Sequence, residues 1–489
     1  MSTIQKIGKN FSFLTIGNII QKILSFLMVI YAARKLGVED FGLYSFIFSF
    51  VMFFAVFGDL GISALVSREI AKDRSKAGDL IGRAFVIKLF LFLIVFAGIF
   101  VSGSLLNFFY ESKYPFYVVI LILAAGLSLL FDSMASLFRS VFFAFQEMQY
   151  ELFVNSFYKV VLVFFTIGIL FLGFGLKEVF FVAVFSSFFN FILSFFIVTK
   201  KFIKMKISFN LKKYKQLIIL SLPFSFMFIF ITLYGMADSV MLSILKGNAS
   251  VGYYSAALRL ISTLSFVPVT FMSVIFPVMA NFYASSNKSI SIIIEKSLKY
   301  LLIIILPIAF STTLLSGRII GLIYPASGII SFAPSSIALT ILIWFSVFNF
   351  LNLVFLNVLQ STAFEKKAFS IVGISLIINI FLNLILIPKY DFAGAAFASV
   401  LSEIVLFILS AYFISKYFFN LFYLSKVAIK TLIASLILFA FIYFFFFLNI
   451  FILFIFSVLL YAVILFLIKI FDKSDIAFMK KIIQRGDNR

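Results

Sequence analysis

The chain is a succession of apolar runs, each long enough to cross a lipid bilayer and each followed by a short polar connection. A helical crossing needs about 20 apolar residues. Fourteen runs meet that length, near 11–33, 42–66, 84–109, 116–145, 152–174, 178–199, 217–244, 252–282, 291–315, 334–361, 368–388, 393–415, 428–448 and 449–468. The longest connections, Lys200–Lys215 and Gly317–Ala333, leave no room for a soluble domain. Only 12% of the residues are charged, about half the share in an ordinary soluble domain. The expected fold class is an all-α polytopic membrane protein with about 14 transmembrane helices. The first run leads straight into Arg34-Lys35, so it reads as a retained helix and not as a signal peptide.

Charge supplies the orientation. Of the 40 Lys and Arg residues, 28 fall in the N-terminal tail, the even-to-odd loops and the C-terminal tail, whereas 7 fall in the opposite loops and 5 within runs. Basic residues are retained on the cytoplasmic side of a membrane. Both termini are therefore expected to be cytoplasmic in a multi-pass protein of the cell membrane, and the net charge of +21 reports topology and not nucleic-acid binding. Cys and His are absent, which excludes disulfides, thiolate or imidazole metal sites and catalysis by either side chain. No cofactor, metal or enzymatic activity is expected.

The loop Lys200–Lys215 carries seven Lys residues and no acid. It reads either as a patch lying on anionic headgroups or as a topological anchor between two halves. The expected organisation is a first lobe of six helices over 1–200, a basic linker over 201–216, a second lobe over 217–415, and a terminal pair with a basic tail over 416–489. An offset of 210 places Gly37, Gly42, Tyr44 and Ser45 on Gly247, Gly252, Tyr254 and Ser255. Glu147 and Glu365 form a looser correspondence. An even number of runs separates these positions, so the repeats are parallel.

Charges inside the runs need a reason, because one at the bilayer centre costs at least about 2.5–3.5 kcal/mol. They are Lys22, Asp59, Lys88, Asp132, Arg139, Lys159, Asp238, Arg259 and Glu403. Lys22, with Asn18 and Gln21 close by, is either the cationic wall of a cavity or an ion-pair partner of Asp59 or Asp132. Arg139 shares a helix face with Asp132, or snorkels to the membrane surface. Asp238 is a candidate for a coupling cation or proton, with pairing to Arg259 the alternative, and Glu403 reads as a pairing residue. Asn349, Asn352, Asn357, Gln360, Asn379 and Asn383 either line a groove suited to sugar hydroxyls or bond helix to helix. Pro223, Pro268, Pro277, Pro307 and Pro388 mark candidate kinks.

Several motifs recur in a characteristic order: Ala33-Arg34-Lys35-Leu36-Gly37, Phe41-Gly42-Leu43-Tyr44-Ser45, Asp59-Leu60-Gly61, Arg68-Glu69-Ile70-Ala71, Gly252-Tyr253-Tyr254-Ser255, Leu359-Gln360 with Glu365-Lys366-Lys367, and Pro388–Ala396. In these the chain resembles the polysaccharide transporter family, the lipid-linked oligosaccharide flippases of the multidrug/oligosaccharidyl-lipid/polysaccharide exporter superfamily, which includes the O-antigen flippases. The resemblance implies two six-helix lobes plus a terminal pair, alternating access around a central cavity, and a monomer. It implies a polyprenyl-(pyro)phosphate-linked oligosaccharide as substrate, membrane lipids and glycan-assembly proteins as partners, and coupling to a Na+ or H+ gradient. On that reading Lys22, Lys88, Arg139, Lys159 and Arg259 receive the phosphate, Asp59, Asp132, Asp238 and Glu403 are coupling-ion or pairing acids, and Asn18, Gln21, Asn349 and Asn352 contact sugar. The rival readings are a cation-coupled multidrug exporter of the same superfamily, working through Asp59 and Asp238, and a membrane polysaccharide polymerase or ligase.

Overall fold

In lipid every backbone polar group must be satisfied within the protein, which selects helices. The computed structural model describes residues 3–206, 211–283, 287–326, 331–362, 364–418, 425–471 and Asp475, and no strand occurs among them. The helices are α1 (Thr3–Ala55), α2 (Ile62–Lys72), α3 (Ala77–Phe109), α4 (Phe116–Phe145), α5 (Met148–Phe171), α6 (Leu176–Lys201), α7 (Leu211–Leu245), α8 (Asn248–Leu264), α9 (Phe266–Tyr283), α10 (Asn287–Ile323), α11 (Ser335–Ser361), α12 (Glu365–Tyr417), α13 (Ser425–Phe444) and α14 (Ile450–Leu467).

Among the described residues, twelve segments are long and apolar enough to cross a membrane. Two of them, Ile19–Lys72 with 54 residues and Glu365–Tyr417 with 53, carry twice the required length. A helix of that size runs about 80 Å against a hydrocarbon core of about 30 Å. Within them α1 leaves helical geometry once, at Gly37 (φ 80°, ψ 178°), and α12 once, at Asp391 (φ 55°, ψ −137°). Counting those two twice gives fourteen crossings. At the second bend the chain doubles back so tightly that a Cβ at Gly394 would overlap the Leu386 carbonyl oxygen.

Two expected runs are interrupted. The run over 42–66 breaks at the 3-10 turn Val56–Gly58, and Leu60 (φ 43°) and Gly61 (φ 69°) are both left-handed before α2 begins. The run over 252–282 divides after Leu264 into α8 and α9, with Pro268 in the first turn of α9, where its missing N–H has no intrahelical partner to lose.

The chain divides into two compact units, Met1–Gly252 and Tyr253–Arg489. In the first, α4 packs along α6 and α3, and α5 and α7 both pack against α1. Its core includes Ile62, Leu65, Ile81, Phe138 and Phe142. At one end of this unit the repeat becomes a contact. A Cβ at Gly42 would overlap the carbonyl oxygen of Asn248, and one at Gly252 would overlap that of Val38. The offset of 210 that relates Gly42 to Gly252 also relates Val38 to Asn248, so the contact is reciprocal. The turn between α3 and α4 packs beside it. There Lys113 Nζ donates to Ile244 O at the C-terminus of α7 (2.8 Å), and the Tyr114 hydroxyl lies 2.8 Å from Ser243 Oγ. Burial pushes the Tyr114 phenol up to about 12, so it stays protonated throughout the neutral range.

In the second unit the terminal pair is fastened to α10 along its length. Arg318 donates to Phe446 O (2.6 Å) and Leu448 O (2.8 Å) in the turn between α13 and α14. Lys296 and Lys299 pair with the two carboxylate oxygens of Asp475 at 2.7 and 2.6 Å. Between these ends lies Pro307, which has no N–H for the carbonyl of Ile303 four residues earlier. The Tyr461 hydroxyl of α14 donates to that carbonyl at 2.9 Å.

Two stability predictions follow from these contacts. Gly42→Ala and Gly252→Ala should each destabilise the protein by about 1–3 kcal/mol, because backbone cannot yield to the added methyl. Gly168→Ala, at a position with open space around it, should be neutral or slightly stabilising. Tyr461→Phe should cost about 1 kcal/mol, and less in a Pro307→Ala background, where the carbonyl regains its helical donor. Thermal unfolding of purified protein in detergent reads all four changes.

Candidate functional site

Most of the embedded charges of the first unit converge on α4, which carries Ser128, Asp132, Ser133, Ser136 and Arg139. The break before α2 exposes Asp59 toward this helix. Lys88 of α3 is 1% exposed and pairs with Asp59 Oδ1 at 2.5 Å. It also donates to Ser133 O, to Ser63 Oγ (3.0 Å) and to Ser136 Oγ (3.3 Å). Ser63 in turn donates to Asp59 Oδ1 at 2.6 Å. Desolvating an ammonium group costs several kcal/mol, which only close oxygen partners offset. Lys88 therefore ties α2, α3 and α4 together, and has no surface left to receive a phosphate. The ammonium partner of Asp59 is Lys88, where the sequence offered Lys22 as one alternative.

Arg139 meets Glu151 of α5, with Nε 3.5 Å from Oε2. Both side chains are largely buried, at 17% and 10% exposure. Asp132 has neutral partners instead. The Tyr158 hydroxyl of α5 donates to Oδ2 (3.1 Å) and Asn190 Nδ2 of α6 donates to Oδ1 (3.2 Å). Ser187 Oγ lies 3.5 Å from the same phenol and 3.2 Å from Ser128 Oγ. Asn190 is fully buried, and its Oδ1 has no hydrogen-bond partner among the described residues. One carboxylate, one amide oxygen and several hydroxyls thus face one another across α4, α5 and α6.

The remaining candidates differ in access. Lys22 is exposed on α1, and neighbouring Gln21 donates to Ser156 Oγ of α5 at 3.3 Å. The Asn18 side chain lies outside the described residues. Lys159 and Arg259 are half-buried, on α5 and α8, and Asp238 is buried within α7. In the second unit Glu403 is 1% exposed. It accepts from Asn349 Nδ2 (3.0 Å) and Asn352 Nδ2 (3.1 Å), which joins α11 to α12. Asn352, Asn379 and Asn383 are buried, and Asn379 and Asn383 bond to Ser402 and to each other. Of the two readings of Asn349 and Asn352, a sugar-lining groove or bonding between helices, these hydrogen bonds are of the second kind.

The family model described as "Polysaccharide biosynthesis protein" matches residues 7–283, more than half of the chain. The chain belongs to the polysaccharide biosynthesis protein family. A second model, MatE, matches residues 223–385. Among curated proteins, an uncharacterized membrane protein of Methanocaldococcus jannaschii is 26% identical over 210 residues, 42% of this chain and 41% of that protein. The probable low-salt glycan biosynthesis flippase Agl15 of Haloferax volcanii is 25% identical over 179 residues, 36% of this chain and 37% of its own. The matches thus span about two-fifths of those relatives' length. Among solved structures, the lipid II flippase MurJ in an inward closed conformation has a TM-score of 0.77 at 18% identity, covering 93% of this chain and 98% of its own. An inward-facing multidrug resistance MATE transporter has a TM-score of 0.66 at 17% identity, covering 83% and 98%. At these identities the structures show a shared fold.

For this family member, sequence reasoning located the buried charges and missed several of their partners. Glu151, Tyr158, Asn190 and Ser63 were not singled out. Glu151 carried a usable signal, since an acid in the first turn complements the helix dipole. Lys88→Met should destabilise the protein by about 3–5 kcal/mol, because it strands the Asp59 carboxylate. Adding Asp59→Asn should recover a substantial part of that loss. Membrane abundance and melting in detergent of the two single variants and the double variant measure the coupling.

Proposed function

We propose that this protein is a flippase that moves polyprenyl-(pyro)phosphate-linked oligosaccharides from the cytoplasmic to the outer leaflet by alternating access, in cell-surface polysaccharide assembly. The observation that carries the reading is the family match over residues 7–283, which takes in the helices bearing most of the embedded charges. The named flippases among its relatives support it. The basic bias of alternate loops supports cytoplasmic termini in the cell membrane.

Lys88 and Arg139 are engaged by Asp59 and Glu151, and the phosphate is assigned to the more accessible cations, Lys22 and Lys159 of the first unit or Arg259 of the second. An ammonium or guanidinium group attracts an anionic headgroup strongly where water is scarce. Asp132, with Asn190 Oδ1 beside it, is the acid best suited to a coupling cation or proton, since its hydrogen-bond partners are neutral. The second reading, a cation-coupled multidrug exporter, is favoured by the MatE match over 223–385.

Proteoliposomes loaded with a lipid-linked oligosaccharide separate the two. The flippase reading expects protein-dependent exposure of the glycan to an impermeant external lectin, with Lys22→Gln and Arg259→Gln each slowing it at least about tenfold while protein levels hold. Asp132→Asn should remove any dependence on an imposed Na+ or H+ gradient. Export of cationic drugs without movement of glycan lipid would replace this reading with the exporter.

A further inference from the structure

The end of the first unit that carries the α2–α3 turn holds a cleft of about 290 Å³, enclosed by α2, the turn Arg74–Lys76, α3 and the start of α7. Its wall is apolar, formed by Leu65, Leu80, Leu217 and Leu220. Its rim is charged and comes from the same helices about one to two turns away. Lys72, Lys76, Arg83 and Lys213 supply four positive charges, against Glu69 and Asp73 in the lining and Asp79 paired with Arg83. Lys72 bonds Glu69 at 2.8 Å and Lys76 bonds Asp73 at 3.0 Å, yet the two lysines are 61% and 68% exposed. Ion pairs this exposed are weak and exchange partners readily.

The basic run 200–215 adjoins the cleft through its described residues. Its Lys206 N–H donates to Gly78 O at 3.0 Å, and its last lysines open α7 at the cleft's edge. A basic rim over an apolar wall is the profile of the boundary between headgroups and acyl chains. A soluble anion would use the rim and leave the wall without a partner.

We propose that this cleft binds an anionic phospholipid, its phosphate held by Lys72, Lys76 and Lys213 and its acyl chain lying along Leu65, Leu217 and Leu220. The occupant is a resident lipid of the leaflet and not transported cargo. The assignment rests on the cytoplasmic placement of this face in the proposed function, and on no property of the transported substrate. Bridging α2 and α3 to α7, the lipid would hold the start of α7 against those two helices.

The test uses the full-length protein in phosphatidylcholine nanodiscs with and without phosphatidylglycerol, read by thermal unfolding and by retained lipid in native mass spectrometry. Phosphatidylglycerol should raise the unfolding temperature and stay bound. Each lysine near an anionic surface contributes about fivefold in affinity. Lys213→Gln alone should therefore weaken retention about fivefold, and Lys72→Gln/Lys76→Gln/Lys213→Gln on the order of a hundredfold, with loss of the thermal shift. Lys366→Gln/Lys367→Gln/Lys416→Gln removes the same charge elsewhere and should leave both readouts intact. The proposal is overturned by an unchanged phosphatidylglycerol response in the Lys213 and triple variants, by an equal loss in the control, or by inorganic phosphate alone reproducing the shift. Because the readout is lipid binding, a failed glycan assay leaves this result standing.

Discussion

The reciprocal backbone contact of Gly42 with Asn248 and Gly252 with Val38 is the constraint on which the first unit depends. Two helix starts approach until each leaves no space for a side chain on the other. That proximity brings the end of α7 within reach of Lys113 and Tyr114 from the α3–α4 turn. A lysine at a helix C-terminus meets carbonyls that lack intrahelical donors, and it complements the negative end of the helix dipole. Steric fit, hydrogen bonding and helix electrostatics therefore all act on one short segment, Leu242–Gly252. Gly42 and Gly252 are one of the matched pairs at an offset of 210 in the sequence, which gives the repetition a physical meaning: each copy supplies a glycine against the backbone of the other.

Away from this end, the first unit is organised by a charge problem. Ammonium, guanidinium and carboxylate groups lie within its apolar segments, and each that is buried must find oxygen or cationic partners. Helix α4 solves it with serines spaced to face α2 and α3 on one side and α5 and α6 on the other. The break at Val56–Gly61 belongs to the same solution. It turns Asp59 out of the helical ladder and frees its carboxylate for Lys88 and Ser63. Asp132 is treated differently, with a phenol and an amide as partners and no close cation bonded to it. That contrast separates a carboxylate used to fasten helices from one suited to bind and release a cation.

Crossing number, helical class and basic bias were legible because each depends on local composition over about twenty residues. The division between the last two runs rested on Leu448-Asn449 alone, and there Asn449 caps α14 by accepting from Phe451 N–H. The connection at 389–392 was legible too, from Lys389 and Asp391 between two apolar runs, whereas the left-handed φ at Asp391 and the tight return of Gly394 onto Leu386 were not. Partner identity was not legible, since Asp59 and Lys88, or Asp132 and Asn190, lie on different helices and no periodicity links them. Asn352 and Asn383 illustrate a further limit. A polar residue on an apolar helix looks the same in sequence whether it lines a cavity or bonds a neighbour, and burial decides between the two.

Pro307 shows how far apart in sequence a single requirement can be met. Within lipid an unpaired carbonyl costs several kcal/mol, so a proline in mid-helix is tolerated only where another element donates to the freed oxygen. Tyr461 does so from α14, more than 150 residues later. This bond fixes the depth of α14 against α10, while Arg318 at one end of α10 holds the α13–α14 turn and Lys296 and Lys299 at the other hold Asp475. Three anchors along one helix leave the terminal pair little freedom to slide or tilt independently. A rearrangement that moves α10 must therefore carry α13 and α14 with it, and any lipid surface that the pair presents travels with that helix.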